Sequence, residues 1–154
     1  MEQEKIRVLF VDDEVNNTNS FRATFRRDFQ VFTAISGKEG LEILKANEIQ
    51  IIITDQRMPE MTGVEFLVEV VKLYPDTIRI LLTGYADINA VIEAVNKGSI
   101  YYYLNKPWDE QQLRIIINNS YEKFRLREEN KILLDKLTTA NNQLEFMLRQ
   151  RLIS

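Results

Sequence analysis

Short apolar runs alternate with longer amphipathic segments five times along the chain. The run at residues 49–54 is nearly all β-branched, which is typical of a strand buried on both faces of a parallel sheet. Parallel strands need crossover connections, and these are right-handed, so repeated strand–helix units favour one sheet with helices on both faces. The sequence therefore predicts an α/β fold with a doubly wound, five-stranded parallel sheet.

Start and stop signals divide the chain into these elements. The predicted strands cover residues 6–11, 30–34, 49–54, 77–83 and 100–104. The predicted helices begin near residues 16, 36, 62, 87 and 109. Ser36 with Glu39, and Thr62 with Glu65, are capping-box pairs, in which side chains satisfy the free N–H groups of a first helical turn. Between the third strand and the third helix, Gly63 predicts a turn that needs conformational freedom.

The composition changes after residue 126, where Gly and Pro are absent and the last helix is expected to continue. Apolar residues recur there at two heptad positions, Leu126, Leu133, Ala140 and Met147 at one and Leu137 and Leu144 at the other. Asn130 interrupts this seam and Arg151 ends it; polar residues at such positions commonly set register and partner number. We predict that residues 126–154 form a coiled-coil extension linking residues 1–125 to an output domain. The alternative is a solvated helix packed on its own domain.

Composition excludes several kinds of chemistry. His and Cys are both absent, which removes thiol chemistry, disulfides, the usual zinc sites and His-based triads. A formal net charge of -3 supplies no basic field, so direct nucleic-acid binding is disfavoured. Acids interrupt the apolar run near the N-terminus, which fits neither a secretory signal nor a membrane span. We expect a cytoplasmic protein without a membrane role.

Side chains able to carry phosphoryl chemistry follow the ends of four predicted strands. They are Asp12 and Asp13 after the first strand, Asp55 after the third, Thr83 at the end of the fourth and Lys106 after the fifth. Doubly wound sheets bind ligands at this carboxyl edge. Three converging carboxylates require a cation, and their oxygens suit Mg²⁺. Asp55 could then act as an oxygen nucleophile that forms an acyl phosphate, while Thr83 and Lys106 contact phosphoryl oxygens.

Four sequence blocks carry a resemblance to a known family. They are VDDE at 11–14, TDQRMPEMTG at 54–63, LTGYAD at 82–87 and YYLNKPW at 102–108. In order and spacing they resemble the signature blocks of response-regulator receiver domains, over about residues 5–125. The resemblance implies a receiver domain over residues 1–125, with a flavodoxin-like sheet of strand order 2-1-3-4-5. It also implies that Asp55 is the phosphoacceptor and that Asp55, Asp13 and the backbone carbonyl of Arg57 ligate Mg²⁺. By the same resemblance, Asp12 is expected to act largely through a bound water.

The same resemblance implies a switch. Thr83 moves toward the phosphoryl group and Tyr103 turns inward, although simple strand packing is the alternative for Tyr103. The bond between Lys106 and Pro107 is expected to be cis, which X-Pro bonds tolerate. The protein is expected to take its phosphoryl group from a sensor histidine kinase or a phosphotransfer protein. The signal is expected to pass through the face formed by the fourth helix, fifth strand and fifth helix, and then through a C-terminal helix that pairs two copies.

Two other functions would use part of the same set of residues. Phosphatases of the haloacid dehalogenase type also use a strand-end Asp, Mg²⁺, Thr or Ser, and Lys. They place two aspartates two residues apart after the first strand, whereas Asp12 and Asp13 are adjacent. A receiver that never accepts phosphate is the second alternative, although every site residue is present. We expect no enzyme activity beyond phosphoryl transfer to Asp55 and hydrolysis of that group.

Overall fold

A computed structural model describes residues 4–153 of the 154-residue chain. The strands are β1 Arg7–Val11, β2 Gln30–Ala34, β3 Ile51–Asp55, β4 Ile78–Thr83 and β5 Tyr102–Asn105. The helices are α1 Val15–Phe25, α2 Gly37–Ala46, α3 Gly63–Leu73, α4 Ile88–Asn96 and α5 Glu110–Ile153, and a 3₁₀ turn at Tyr85–Asp87 precedes α4. Strands and helices alternate as the sequence predicts.

All neighbouring strands pair in parallel, in the order β2-β1-β3-β4-β5. This confirms the predicted doubly wound sheet and its strand order. The chain moves to one side of β1 for β2 and to the other side for β3, so the order reverses beside β1 and β3. In this class of sheet, ligands bind at the carboxyl ends of the strands at such a reversal.

Apolar side chains are buried on both faces of the sheet. On one face, Phe10 of β1 stacks on Phe21 of α1 with ring centroids 4.2 Å apart, and Ile117 of α5 joins the same cluster. On the other face, Phe66 of α3 packs in a cluster with Leu9 of β1. Full burial of one such side chain contributes about 1.5–3 kcal/mol. The alternation of Leu9 and Phe10 between the two faces explains why β1 is apolar and buried from Val8 to Val11.

The predicted caps are observed at two helices. Ser36 accepts the N–H of Glu39 at 3.1 Å, and Thr62 accepts the N–H of Glu65 at 3.2 Å. The carboxylate of Asp109 likewise accepts the N–H of Gln112 at the start of α5, at 2.9 Å. These caps set the points at which the chain turns from the carboxyl edge of the sheet into a helix.

Helix α5 runs without a break, as predicted, and only its first half packs on the domain. Leu113 and Ile117 are fully buried, and Phe124 packs against the same core. Lys131 forms an ion pair with Asp76 in the loop before β4. Contacts with the domain thus continue past residue 126, and the side chains of residues 132–153 are exposed. Within residues 4–153, no helix combines the length and the apolar character needed to cross a membrane.

Candidate functional site

Three carboxylates meet at the carboxyl edge of the sheet. Val11 lies beside Thr54 in the register of β1 and β3, so the residues that follow, Asp12 and Asp55, become neighbours. One oxygen from each of Asp12, Asp13 and Asp55 lies within 4.8 Å of the others. Asp12 and Asp55 are buried, at 1% and 7% exposure, whereas Asp13 is more accessible. The sequence-predicted acidic residues are therefore brought together.

Lys106 reaches into this cluster from the other side. It follows β5, whose last residue Asn105 lies beside Thr83 of β4. Its Nζ is 2.7 Å from Oδ1 of Asp55 and 3.8 Å from Oδ2 of Asp12. The peptide bond from Lys106 to Pro107 is cis. A single cation is thus shared between two buried carboxylates.

Burial dominates the electrostatics of Asp55. Loss of solvent raises the pKa of this carboxyl group above its ordinary value, and the charge of Asp12 raises it further. The hydrogen bond and the positive charge of Lys106 lower this pKa, but they do not cancel the effect of burial. A carboxylate in such a place is stabilised by any additional cation, because the charged form gains most from it.

The carboxylate of Asp12 accepts hydrogen bonds from a residue just before α1 and from a residue in its first turn. Its Oδ1 accepts the backbone N–H of Glu14 at 2.9 Å, and its Oδ2 accepts an N–H of the Asn17 amide at 3.0 Å. Sequence reasoning missed Asn17. The available signal was its place in the first turn of the helix that follows the two aspartates. These bonds fix the Asp12 carboxylate at the edge of the cluster.

Gly63 explains how α3 can start beside the end of β3, at Asp55. A Cβ at this position would lie 2.3 Å from the backbone oxygen of Asp55, so only glycine fits. Its N–H donates to the carbonyl oxygen of Gln56 at 3.0 Å. The reason for this glycine is therefore close packing; the left-handed residue of the loop is Glu60, with φ of 69°.

Thr83 lies at the end of β4, and its hydroxyl hydrogen-bonds to the segment that leads into α4. Its hydroxyl has two acceptors within reach, the carbonyl oxygen of Gly84 at 3.1 Å and Oδ2 of Asp87 at 3.4 Å. The Nε of Arg57 is also 3.4 Å from Asp87. Sequence reasoning did not single out Asp87, although it ends the LTGYAD block. Tyr103 lies on β5 with a side chain 46% exposed, outside the acidic cluster.

The donor set fits a hard divalent cation. Three carboxylates against one lysine leave an excess of two negative charges, and carboxylate oxygens are the ligands that Mg²⁺ prefers. The backbone carbonyl of Arg57, which follows Asp55 by two residues, belongs to the loop that leaves this edge. The arrangement can thus bring a cation and a carboxylate nucleophile to one point.

Comparison with known proteins identifies the family. The family model described as "Response regulator receiver domain" matches residues 8–118. The hydrogenase transcriptional regulatory protein HoxA of Cupriavidus necator is 38% identical over 122 residues, which cover 79% of this chain and 25% of that protein. The regulatory protein AtoC of Escherichia coli is 30% identical over 135 residues, covering 87% and 29%. The chain thus spans about a quarter of the length of these curated relatives.

Solved structures agree with this result. The structure titled adenylate cyclase from Rhodopirellula baltica is 33% identical with a TM-score of 0.82, and the match covers 86% of this chain and 98% of that one. A response regulator receiver domain from Clostridium thermocellum is 35% identical with a TM-score of 0.74, over 79% and 98%. These matches leave the phosphatase alternative without support. The chain belongs to the family of response regulator receiver domains, the phosphoryl-accepting signalling switches of two-component systems.

Proposed function

We propose that Asp55 accepts a phosphoryl group from a phosphohistidine on a sensor histidine kinase or a phosphotransfer protein. The observation that supports this most strongly is the placement of a buried carboxylate within 2.7 Å of Lys106 and within 4.8 Å of two further carboxylates. These 154 residues contain no His, so none of them can carry the phosphohistidine that serves as donor. Because the chain spans only about a quarter of the length of the relative HoxA, the proposal concerns the receiver domain and not the output of the whole protein.

The chemistry is a transfer between two nucleophiles. An oxygen of Asp55 attacks phosphorus, the new P–O bond forms, and the P–N bond breaks with its electron pair on the imidazole nitrogen. Such transfers depend on positioning and charge stabilisation more than on acid–base groups. Lys106 offsets charge on the phosphoryl oxygens, and Thr83 donates its hydroxyl proton to another of them.

Mg²⁺ completes the charge balance in this proposal. Asp13, Asp55 and the backbone carbonyl of Arg57 would hold it directly and Asp12 through water, and the bound ion would supply positive charge beside the phosphoryl oxygens. Burial that raises the pKa of Asp55 is opposed by such a charge, so the ionised nucleophile is favoured when the cation is bound.

The extension of α5 is proposed to pair with a second copy. Ile117, Phe124 and Lys131 recur every seven residues on the side of the helix that contacts the domain. At 3.6 residues per turn, Leu126 and Leu133 lie about 200° and about 180° around the helix from Phe124. The apolar seam therefore points away from its own domain, and a partner helix can reach it.

Heptad chemistry favours a parallel pair. The seam side chains are 52–64% exposed at Leu126, Leu133, Leu137, Leu144 and Met147. Two Asn130 amides meeting across a parallel interface can hydrogen-bond each other, which favours two helices in register. Two identical domains would then lie near one two-fold axis. Phosphorylation is proposed to change how these domains meet, through the face formed by α4, β5 and α5 and the paired helices.

Intact-mass measurement tests the transfer. The protein is incubated with acetyl phosphate and Mg²⁺, and we expect one added phosphoryl group that is lost at alkaline pH, as acyl phosphates are. Asp55→Asn should take up none, while the matched variant Asp28→Asn, at an exposed carboxylate paired with Arg114, should behave like wild type. Equal uptake by Asp55→Asn and wild type would exclude Asp55 as the acceptor.

A further inference from the structure

Asp87 links the proposed phosphoryl site to helix α4. Its carboxylate accepts the hydroxyl of Thr83 at 3.4 Å and forms an ion pair with Arg57, whose Nε is 3.4 Å away. The side chain is mostly buried, at 17% exposure. Thr83 ends β4, and Arg57 lies in the loop that follows β3. Asp87 therefore contacts the end of β4 and the loop after β3, both of which lie at the edge of the sheet that carries the acidic cluster.

Asp87 also occupies the N-cap position of α4 without capping it. Among the residues that the structure describes, its side chain accepts no hydrogen bond from the first turn of the helix. Its backbone, with φ of -105° and ψ of 17°, is outside the extended region in which capping residues normally lie. Ser36 and Thr62, the residues at the same position of α2 and α3, are extended and do cap their helices.

The backbone before α4 is held in a different shape. Tyr85–Asp87 form a 3₁₀ turn, in which the N–H of Asp87 donates to the carbonyl oxygen of Gly84 at 3.2 Å. This turn is the local reason that the Asp87 carboxylate faces Thr83 and not the helix. An Asp at an N-cap is a strong capping residue and a negative charge that favours the helix N-terminus. Asp87 is therefore a residue type that caps helices well, at an N-cap position, but in this backbone conformation it does not cap α4.

We propose that Asp87 is a positioning residue with two alternative sets of partners. In the unphosphorylated protein it holds Thr83 and Arg57. When Thr83 donates to a phosphoryl group on Asp55, Asp87 loses this hydrogen bond, becomes extended and caps α4 by accepting the N–H of Asn89 or Ala90. This inference rests on the proposed function and adds to it the means by which α4 responds.

Proton counting makes the two states exclusive. The hydroxyl of Thr83 has one proton, whose present acceptors are the carbonyl oxygen of Gly84 at 3.1 Å and Oδ2 of Asp87 at 3.4 Å. Full donation to a phosphoryl oxygen would take this proton away from both. Opening the 3₁₀ turn changes where α4 begins, and Ile88, Ile92 and Val95 on this helix are about half exposed. The exchange of partners at Asp87 therefore changes an apolar surface that another protein or a second copy can contact.

Hydrogen exchange of individual amides tests the new cap. With Mg²⁺ and beryllofluoride, a phosphoryl mimic, exchange at Asn89 or Ala90 should slow by about fivefold, the effect of an ordinary cap. Asp87→Ala should abolish this slowing, and Asp87→Asn should keep it because an amide oxygen also caps. Gln112 in α5 is the internal control: its N–H is already capped by Asp109, so the mimic should leave its exchange unchanged.

Affinity for the mimic gives a second readout. Asp87→Asn loses the ion pair with Arg57 but keeps the capping ability, so it should bind beryllofluoride about two- to fivefold more tightly than wild type. Asp87→Ala loses both sets of contacts and should bind more weakly than Asp87→Asn. A purely structural role for Asp87 predicts the same affinity in every variant that folds, and that result would overturn the inference.

Different results would contradict the phosphoacceptor role of Asp55 and the exchange of partners at Asp87. If wild-type protein takes up neither phosphoryl group nor mimic, the proposed function is wrong. If wild type takes up the mimic while exchange at Asn89 and Ala90 is unchanged, the phosphoacceptor assignment stands and the Asp87 exchange is wrong. Slowing that persists in Asp87→Ala assigns the cap to another group and has the same consequence.

Discussion

Replacing Asp55 by Asn should stabilise the protein in the absence of divalent cations. Asp12 and Asp13 each have an oxygen within 4.8 Å of Asp55, and at an effective dielectric constant of about 20 each repulsion is about 3.5 kcal/mol before solvent screens the exposed Asp13. Lys106 at 2.7 Å offsets about 6 kcal/mol of this total of about 7. Burial of the charge adds to the remaining penalty. We therefore expect Asp55→Asn to raise the free energy of unfolding by about 1 kcal/mol or more.

Urea unfolding followed by circular dichroism measures this difference. In EDTA at neutral pH the variant should unfold at the higher urea concentration. Mg²⁺ at ten times its Kd should stabilise wild type by about 1.4 kcal/mol and the variant by less. The difference in the free energy of unfolding between the two proteins should therefore shrink or change sign. Asp135→Asn, an exposed position on α5, is the control and should change stability by less than about 0.5 kcal/mol.

The pH dependence follows from the direction of the pKa shift. The folded-state pKa of Asp55 lies above its ordinary value of 3.8, so between these two values the folded protein binds more protons than the unfolded chain. Stability then falls as pH rises through this window, and the penalty is complete above the folded pKa. The difference between Asp55→Asn and wild type should therefore vanish below about pH 3.8. A variant less stable than wild type in EDTA at neutral pH would refute this reasoning.

Three further predictions use other features of the structure. Asp13→Ala should weaken Mg²⁺ binding at least about tenfold in calorimetry, and an unchanged affinity would argue against its role as a ligand. Gly63→Ala should destabilise the fold by about 1–3 kcal/mol because its Cβ would meet the backbone of Asp55; Gly84→Ala, which meets no described heavy atom within 4 Å, should have little effect in the same unfolding assay. Ending the chain after Lys131 should shift the protein toward monomer in sedimentation, and a full chain that is monomeric at high concentration would contradict pairing through α5.

The sequence was sufficient to predict the sheet and the position of the acidic cluster. In the run at residues 49–54, Ile51 and Ile53 face one side of the sheet and Ile52 faces the other, so both faces are apolar there. The capping pairs mark where helices begin. Once the strands are parallel, residues that follow them must share an edge. Asp12, Asp55 and Lys106 are therefore brought together by topology and not by any contact that local sequence encodes.

Side-chain direction and distant contacts could not be predicted in the same way. The sequence pattern predicts a helix that begins near residue 87, but it does not reveal the 3₁₀ turn at Tyr85–Asp87 or the 3.4 Å contact between the side chains of Thr83 and Asp87. The ion pair of Lys131 with Asp76 joins residues 55 positions apart, which heptad spacing does not reveal. Gly63 looked like a turn residue, whereas its role is close packing against Asp55. These features need the assembled fold.

Chemical trapping of the acyl phosphate tests most directly whether Asp55 is the phosphoacceptor. Protein phosphorylated with a small phosphodonor in Mg²⁺ is reduced with borohydride, which converts a phosphorylated aspartate into homoserine, and the position is read by peptide mass spectrometry. We expect homoserine at position 55 alone, and none when the phosphodonor or Mg²⁺ is omitted. Homoserine at position 12 or 13 with an unmodified Asp55 would contradict it.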